Sequence, residues 1–211
     1  MSDHIAVRFL RRYPPPPSRY NPVPVWLELT RAEFNFGLDL GYRRAAERQG
    51  AGARHRNNLT TTFERNIKMH QSGAISEAAY FKAFGGSAAG VKWDTSAIYR
   101  PGRPDLIFRG IEYDAKGIKP NRYSLCIWHD SRLPLGGVHP NWRYLLAGLE
   151  HAPAIALIGW ALGSDVMRYR LEDRNLDGRR AHYLPGDELR DVRSLELCRA
   201  MEPKEQFEFR L

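Results

Sequence analysis

The sequence predicts an α/β fold, in the mixed α+β sense, because helical and extended patterns alternate along it. Three observations carry this reading. A threonine-x-x-glutamate capping box, Thr30 to Glu33, opens a helical run. A second helical pattern from Thr62 to Phe84 is stopped by Gly85-Gly86. Between Asp105 and Leu162, apolar residues come in short runs broken by glycine and proline, the punctuation of strands.

The chain has 211 residues, enough for one domain with a sizeable core. Residues 1–25, with Pro14-Pro15-Pro16-Pro17, Pro22 and Pro24, read as an extended proline-rich arm that cannot be helical. Residues 26–211 read as the single domain. Its first helix runs through Ala32, Phe36, Leu40 and Tyr42 to about Gln49, and Gly50 and Gly52 end it. Arg43 and Arg44 lie in its last turns, and Arg54 and Arg56 follow in a loop. These arginines form a candidate phosphate-contacting patch, or else a solvated, charge-balanced helix end.

In the second helix, Glu77 has Gly73, Ala74, Tyr80 and Phe81 as its helical neighbours. A carboxylate ringed by small and aromatic residues is not on an ordinary solvated face. The small residues predict a close approach to another element, with Glu77 projecting into the gap. Trp93 and Ile98 read as core contributors of an extended stretch. Pro104-Asp105 then opens a strand, Gly110 turns the chain, and a second strand leads to Lys116. Residues two apart share a strand face, so Glu112, Asp114 and Lys116 point the same way.

Residues 117–122 read as a turn, Tyr123 to Trp128 as a strand, and Ser131 to Pro140 as a loop. Trp142 to Glu150 suits either an amphipathic helix or the first arm of a hairpin with Ala154–Leu162. Asp165 to Gly178 is polar and irregular. Ala181 to Pro185 reads as a short edge strand. Leu189, Val192, Leu195 and Leu197 suggest a closing helix within Asp187–Met201.

Composition bounds the function. A net charge of +8 and a pI near 9.7 favour a polyanionic partner. Two cysteines, Cys126 and Cys198, support neither a disulfide framework nor a cysteine zinc site, and suit a reduced cytosolic protein. No apolar run is long enough to span a membrane, so none is expected as a partner. The histidines lack zinc spacing. The Gly-Gly pairs lack the lysine and serine of a phosphate loop, and no glycine-flanked serine elbow is present. What remains are two carboxylates and an amine beside apolar strands, which are costly there unless paired or metal-bound. Carboxylate oxygens suit Mg²⁺ or Mn²⁺, and a nearby lysine suits attack of water on phosphate.

Glu77 on a helix, Pro104-Asp105 at a strand start, and Asp114-Ala115-Lys116 on the next strand resemble the PD-(D/E)XK nuclease superfamily. Gly73-Ala74-x-x-Glu77, Ile158-Gly159-Trp160, and Tyr183-Leu184-Pro185 with Leu189 are similar to its phage and prophage-type members. The resemblance covers roughly Leu27 to Leu195. It implies a restriction-endonuclease-like core, a mixed central β-sheet flanked by helices, and favours the hairpin for residues 142–162. Carried onto this chain, Asp105 and Asp114 would bind Mg²⁺ with the carbonyl of Ala115, and Mn²⁺ would substitute. Glu77 would complete the shell or hold a second ion, and Lys116 would orient or deprotonate the attacking water. Arg43, Arg44, Arg54, Arg56, Lys119 and Arg122 are the candidate DNA contacts, and Glu112 is a face residue outside the motif. The function so implied is a cytoplasmic, metal-dependent deoxyribonuclease, with a homodimer or a phage or host protein as further partners. The alternative is a non-catalytic nucleic-acid-binding or phage assembly protein that keeps the fold.

Overall fold

The computed structural model describes residues 24–50, 63–98, 102–118, 124–131, 133–172 and 180–195. Residues 1–23 of the proline-rich arm lie outside the described residues, as do Arg54, Arg56, Lys119 and Arg122. The arm's last residue, Val25, belongs to the sheet.

Two long helices, α1 (Arg31–Gly50) and α2 (Phe63–Ala83), follow a short first strand. The capping box forms as the sequence predicts. Glu33 N–H donates to Thr30 Oγ1 at 3.2 Å, and Thr30 N–H donates to Glu33 Oε2 at 2.7 Å. Lys82 from the end of α2 reaches the same carboxylate at 2.9 Å, tying the two helices together. They come close together at Gly41, where a Cβ would lie 2.4 Å from Gln71 Cα. Only glycine allows that approach.

The strands are β1 (Val25–Glu28), β2 (Lys92–Trp93), β3 (Leu106–Phe108), β4 (Ile111–Ile118), β5 (Ser124–Trp128), β6 (Arg143–His151), β7 (Ala154–Leu162), β8 (Leu171–Glu172) and β9 (Ala181–Pro185). Six of them form a central sheet in the order β1-β7-β6-β4-β3-β2. Pairing is antiparallel except between β4 and β6, which run parallel, so the sheet is mixed. The hairpin favoured for residues 142–162 is present as β6 and β7.

Alternation along the strands sends side chains to two separate cores. Tyr113, Ala115, Leu145, Ala147, Ile155 and Leu157 pack with Ile75, Ala78, Ala79 and Phe84 of the helical layer. Tyr144, Leu146, Ala156 and Ile158 pack with Leu125, Ile127 and Leu184 of a second sheet, ordered β5-β9-β8. The central sheet therefore has helices on one face and a small antiparallel sheet on the other. Among the described residues, no helix is long and apolar enough to cross a membrane.

Several expectations need correction. Strand β9 is not an edge: it lies between β5 and β8. Pro185 is accommodated because it is the last residue of the ladder, opposite Ser124. No closing α-helix forms over 187–195. That segment holds two 3₁₀ turns, Gly186–Glu188 and Val192–Ser194. Arg190 is drawn into an extended bridge with Trp160, and the Asp191 carboxylate accepts from Arg193 N–H at 2.7 Å. Both interactions compete with helix. Strand β4 runs two residues past Lys116, so Gly117 and Ile118 are sheet and not turn. Of the two expected core residues, Trp93 is half-buried but Ile98 is 51% exposed. The polar stretch from Asp165 contains the end of a short helical turn, α3 (Gly163–Val166), and β8.

Candidate metal and phosphate site

Asp105 stands immediately before β3, where its backbone N–H donates to Tyr113 O at 2.9 Å and its carbonyl accepts from Asp94 N–H at 3.0 Å. Its carboxylate Oδ2 accepts from the backbone N–H of Ala115 at 2.9 Å. This clip joins the Pro104-Asp105 turn to the middle of the Asp114-Ala115-Lys116 strand. Two stretches that the sequence places on successive strands are thereby fixed against each other.

On β4, Ala115 is buried toward the helices, and Asp114 and Lys116 point to the opposite side. The Lys116 ammonium forms a short ion pair with Asp114 Oδ1. The Lys116 side chain is 36% exposed against 16% for Asp114. The clip from Ala115 N–H brings the Asp105 carboxylate beside Asp114, the preceding residue of β4. Burial pushes the Asp105 carboxyl well above its ordinary range, and the negative charges of Glu77 and Asp114 push it the same way, against Lys116. Burial works against charge on Lys116, but Asp114 and then Asp105 outweigh it and hold the amine as an ammonium.

Glu77 is 3% exposed on α2. Arg44 donates to its Oε1 at 2.5 Å, and Trp93 Nε1 donates to its Oε2 at 2.9 Å. Trp93 is itself wedged between Phe36 and Phe81, with ring centroids 5.4 and 5.1 Å away. Arg44 also donates from Nη2 to the carbonyl of Asp94 at 2.5 Å and from Nε to that of Ser96 at 3.1 Å. Both oxygens of Glu77 thus face protein donors. Arg44 is an interior clamp of the site, not a surface cation. Arg43, by contrast, is on the surface beside Asp39 at 3.0 Å.

Tyr144 stands beside the cluster and escaped the sequence reading, whereas Glu112, placed there outside the motif, has a partner of its own. Tyr144 lies opposite Asp114 in the β4–β6 register. Its hydroxyl oxygen accepts from His139 N–H at 3.0 Å. Burial, and then the charge of Asp114, push the phenol up to about 12. Glu112 accepts from Trp142 Nε1 at 2.6 Å, and Trp142 stacks flat on His139 at 3.9 Å, so Glu112 serves a neighbouring aromatic group.

Gly117 explains how β4 sits so close to α2. A Cβ there would lie 2.5 Å from Ser76 Oγ and 2.6 Å from Ser72 O. The close approach expected of Gly73 is made elsewhere, because a Cβ on Gly73 would meet only Glu77 Oε1, at 3.9 Å.

The donor set fits a hard divalent cation in part. Asp105 and Asp114 offer neighbouring carboxyl groups, and three carboxylates face two cations across the cluster, counting Glu77, Arg44 and Lys116. Magnesium is commonly held by one or two carboxylates with water completing its shell. Among the described residues, no group of three or more histidine, cysteine, aspartate or glutamate side chains is arranged to hold a metal ion. Comparison of the chain with protein-family models, curated proteins and solved structures gives no match.

Proposed function

We propose that this chain is a Mg²⁺-dependent nuclease of the PD-(D/E)XK type that hydrolyses DNA phosphodiester bonds. The observation that carries the reading is the Ala115 clip, which sets the Asp105 carboxylate beside the Asp114–Lys116 ion pair. Asp105, Asp114 and the carbonyl of Ala115 would hold the ion. When bound, it supplies a Lewis acid for a phosphate oxygen and lowers the pKa of water. The ammonium of Lys116, held by Asp114, attracts the phosphate and offsets the charge that builds on its oxygens. The backbone clip from Ala115 to Asp105 keeps the two acidic groups together before substrate arrives. In the reaction, a water oxygen bonds to phosphorus, the bond from phosphorus to one sugar oxygen breaks, and a proton passes to that leaving oxygen.

Glu77 stands apart from the ligand role that the family resemblance implies. With Arg44 and Trp93 on its oxygens, its contribution is negative charge behind Asp105. The same closure favours a second reading, a nucleic-acid-binding or phage assembly protein that retains the fold without cutting. The net charge of +8 serves both readings. DNA as substrate, a cytoplasmic site of action, and a homodimer or a phage or host partner belong to the proposal.

The test is incubation of linear, nicked, circular and single-stranded DNA with Mg²⁺, Mn²⁺ or EDTA. Wild type should cut with either metal and not with EDTA, and Asp114→Ala should be inactive. If wild type and Asp114→Ala behave alike, hydrolysis at this site is excluded. Metal-independent binding that weakens steeply with salt would then favour the second reading.

A further inference from the structure

Tyr144 is 1% exposed and stands opposite Asp114 on the neighbouring strand. Side chains at paired positions share a face, so the phenol is aimed at the side of the sheet that carries Asp114 and Lys116. Its oxygen accepts one hydrogen bond, from His139 N–H at 3.0 Å. That bond uses a lone pair and leaves the hydroxyl proton to be placed elsewhere. A buried tyrosine hydroxyl ordinarily donates to a partner. Among the described residues, Tyr144 makes no hydrogen bond as a donor. The charged groups it feels are Asp114, Lys116 and Asp105, and it is hydrogen-bonded to none of them. A buried donor is therefore held at its oxygen by His139 and lies on the sheet face that carries Asp114 and Lys116, where an anionic oxygen would give it a charge-assisted bond.

We propose that Tyr144 donates its hydroxyl proton in a hydrogen bond to a non-bridging oxygen of the scissile phosphate at the Asp105–Asp114–Lys116 cluster. This assignment rests on the nuclease reading and adds a substrate contact that the PD-D-x-K residues do not contain. The hydroxyl acts as a donor and not as a base, since a phenol keeps its proton at neutral pH. One side of the bond is set by protein backbone, so the donor is oriented before substrate binds.

The experiment compares wild type, Tyr144→Phe and protein with 3-fluorotyrosine at position 144, which keeps both hydrogen bonds. Each is assayed by single-turnover cleavage in Mn²⁺. The substrates are an ordinary duplex and two duplexes carrying one stereodefined phosphorothioate, of either configuration, at the bond that wild type cuts. Loss of the donor is expected to slow cleavage about 100-fold, the size seen when one preorganised donor to a reacting centre is removed. The 3-fluorotyrosine protein should stay within a few-fold of wild type. Sulfur accepts hydrogen bonds poorly, so one diastereomer should slow wild type and should have a smaller effect on Tyr144→Phe.

Cleavage by Tyr144→Phe at the wild-type rate overturns the assignment. So does slow cleavage in which neither diastereomer has a smaller effect than on wild type, because the hydroxyl then acts through structure alone. Absence of cleavage by wild type overturns the nuclease reading and this inference with it, and that result is distinct from the other two.

Discussion

The same substitution, glycine to alanine, is expected to have opposite signs at two positions flanking the site. At Gly117 the new Cβ would lie 2.5 Å from Ser76 Oγ, 2.6 Å from Ser72 O and 2.9 Å from Leu149 Cδ1. Ser76 could rotate away, but Ser72 O is helix backbone and already accepts from Ser76 Oγ at 2.9 Å. Strand and helix must therefore separate by roughly 1 Å to reach ordinary contact. Overpacking of this kind costs about 1–3 kcal/mol. For a domain of this size each kcal/mol moves Tm by about 2–4 °C, so Gly117→Ala should lower Tm by about 2–12 °C. At Gly73, inside α2, the nearest atom is Glu77 Oε1 at 3.9 Å, and alanine gains helix propensity without a clash. Gly73→Ala should raise stability by about 0.5–1 kcal/mol. Thermal unfolding of both variants in one buffer measures the pair. A Gly117→Ala protein as stable as wild type would refute the close packing of β4 on α2, on which the placement of Asp114 and Lys116 relative to Glu77 depends.

Two other variants examine the charged groups. Arg44→Met should destabilise the protein by about 3–5 kcal/mol, because it leaves the nearly buried Glu77 carboxylate without its cation, and adding Glu77→Gln should recover part of the loss in urea unfolding. If Arg44 instead served only as a DNA contact, stability would be unchanged and DNA affinity would fall. Asp105→Asn bears on the raised carboxyl. A group whose pKa is higher folded than unfolded favours folding below its ordinary value of 3.8 and loses that contribution as pH rises through the folded value. In EDTA, wild type should lose stability relative to Asp105→Asn as pH rises above 3.8, and Mg²⁺ should restore it in wild type alone. Parallel pH–stability curves for the two proteins would contradict this.

Local patterns made much of the site legible. Asp114 and Lys116 had to share a face because a strand has a period of two, and Asp105 had to lie nearby because Gly110 permits only a short turn between the strands. The unusual neighbours of Glu77 foretold its burial. Its partners could not be read, because Arg44 and Trp93 reach it through the packing of α1 and β2 on α2 and not through sequence spacing. Tyr144 was hidden for a related reason. It meets Asp114 only because β4 and β6 pair in parallel after a long crossover, a register that no local signal sets. The closing segment misled because Leu189, Val192 and Leu195 repeat at a helical interval. In the fold, Leu195 and Leu189 enter different cores and Arg190 bridges to Trp160. Strand β9 looked like an edge because its second partner, β8, has two residues and carries almost no pattern of its own.

The most direct test of the central claim is to locate a divalent ion by anomalous diffraction from crystals of the protein grown with Mn²⁺. The account requires one strong peak within coordinating distance of carboxylate oxygens of both Asp105 and Asp114, absent in Asp114→Ala crystals. Saturating Mn²⁺ with no ion bridging those two side chains would contradict it.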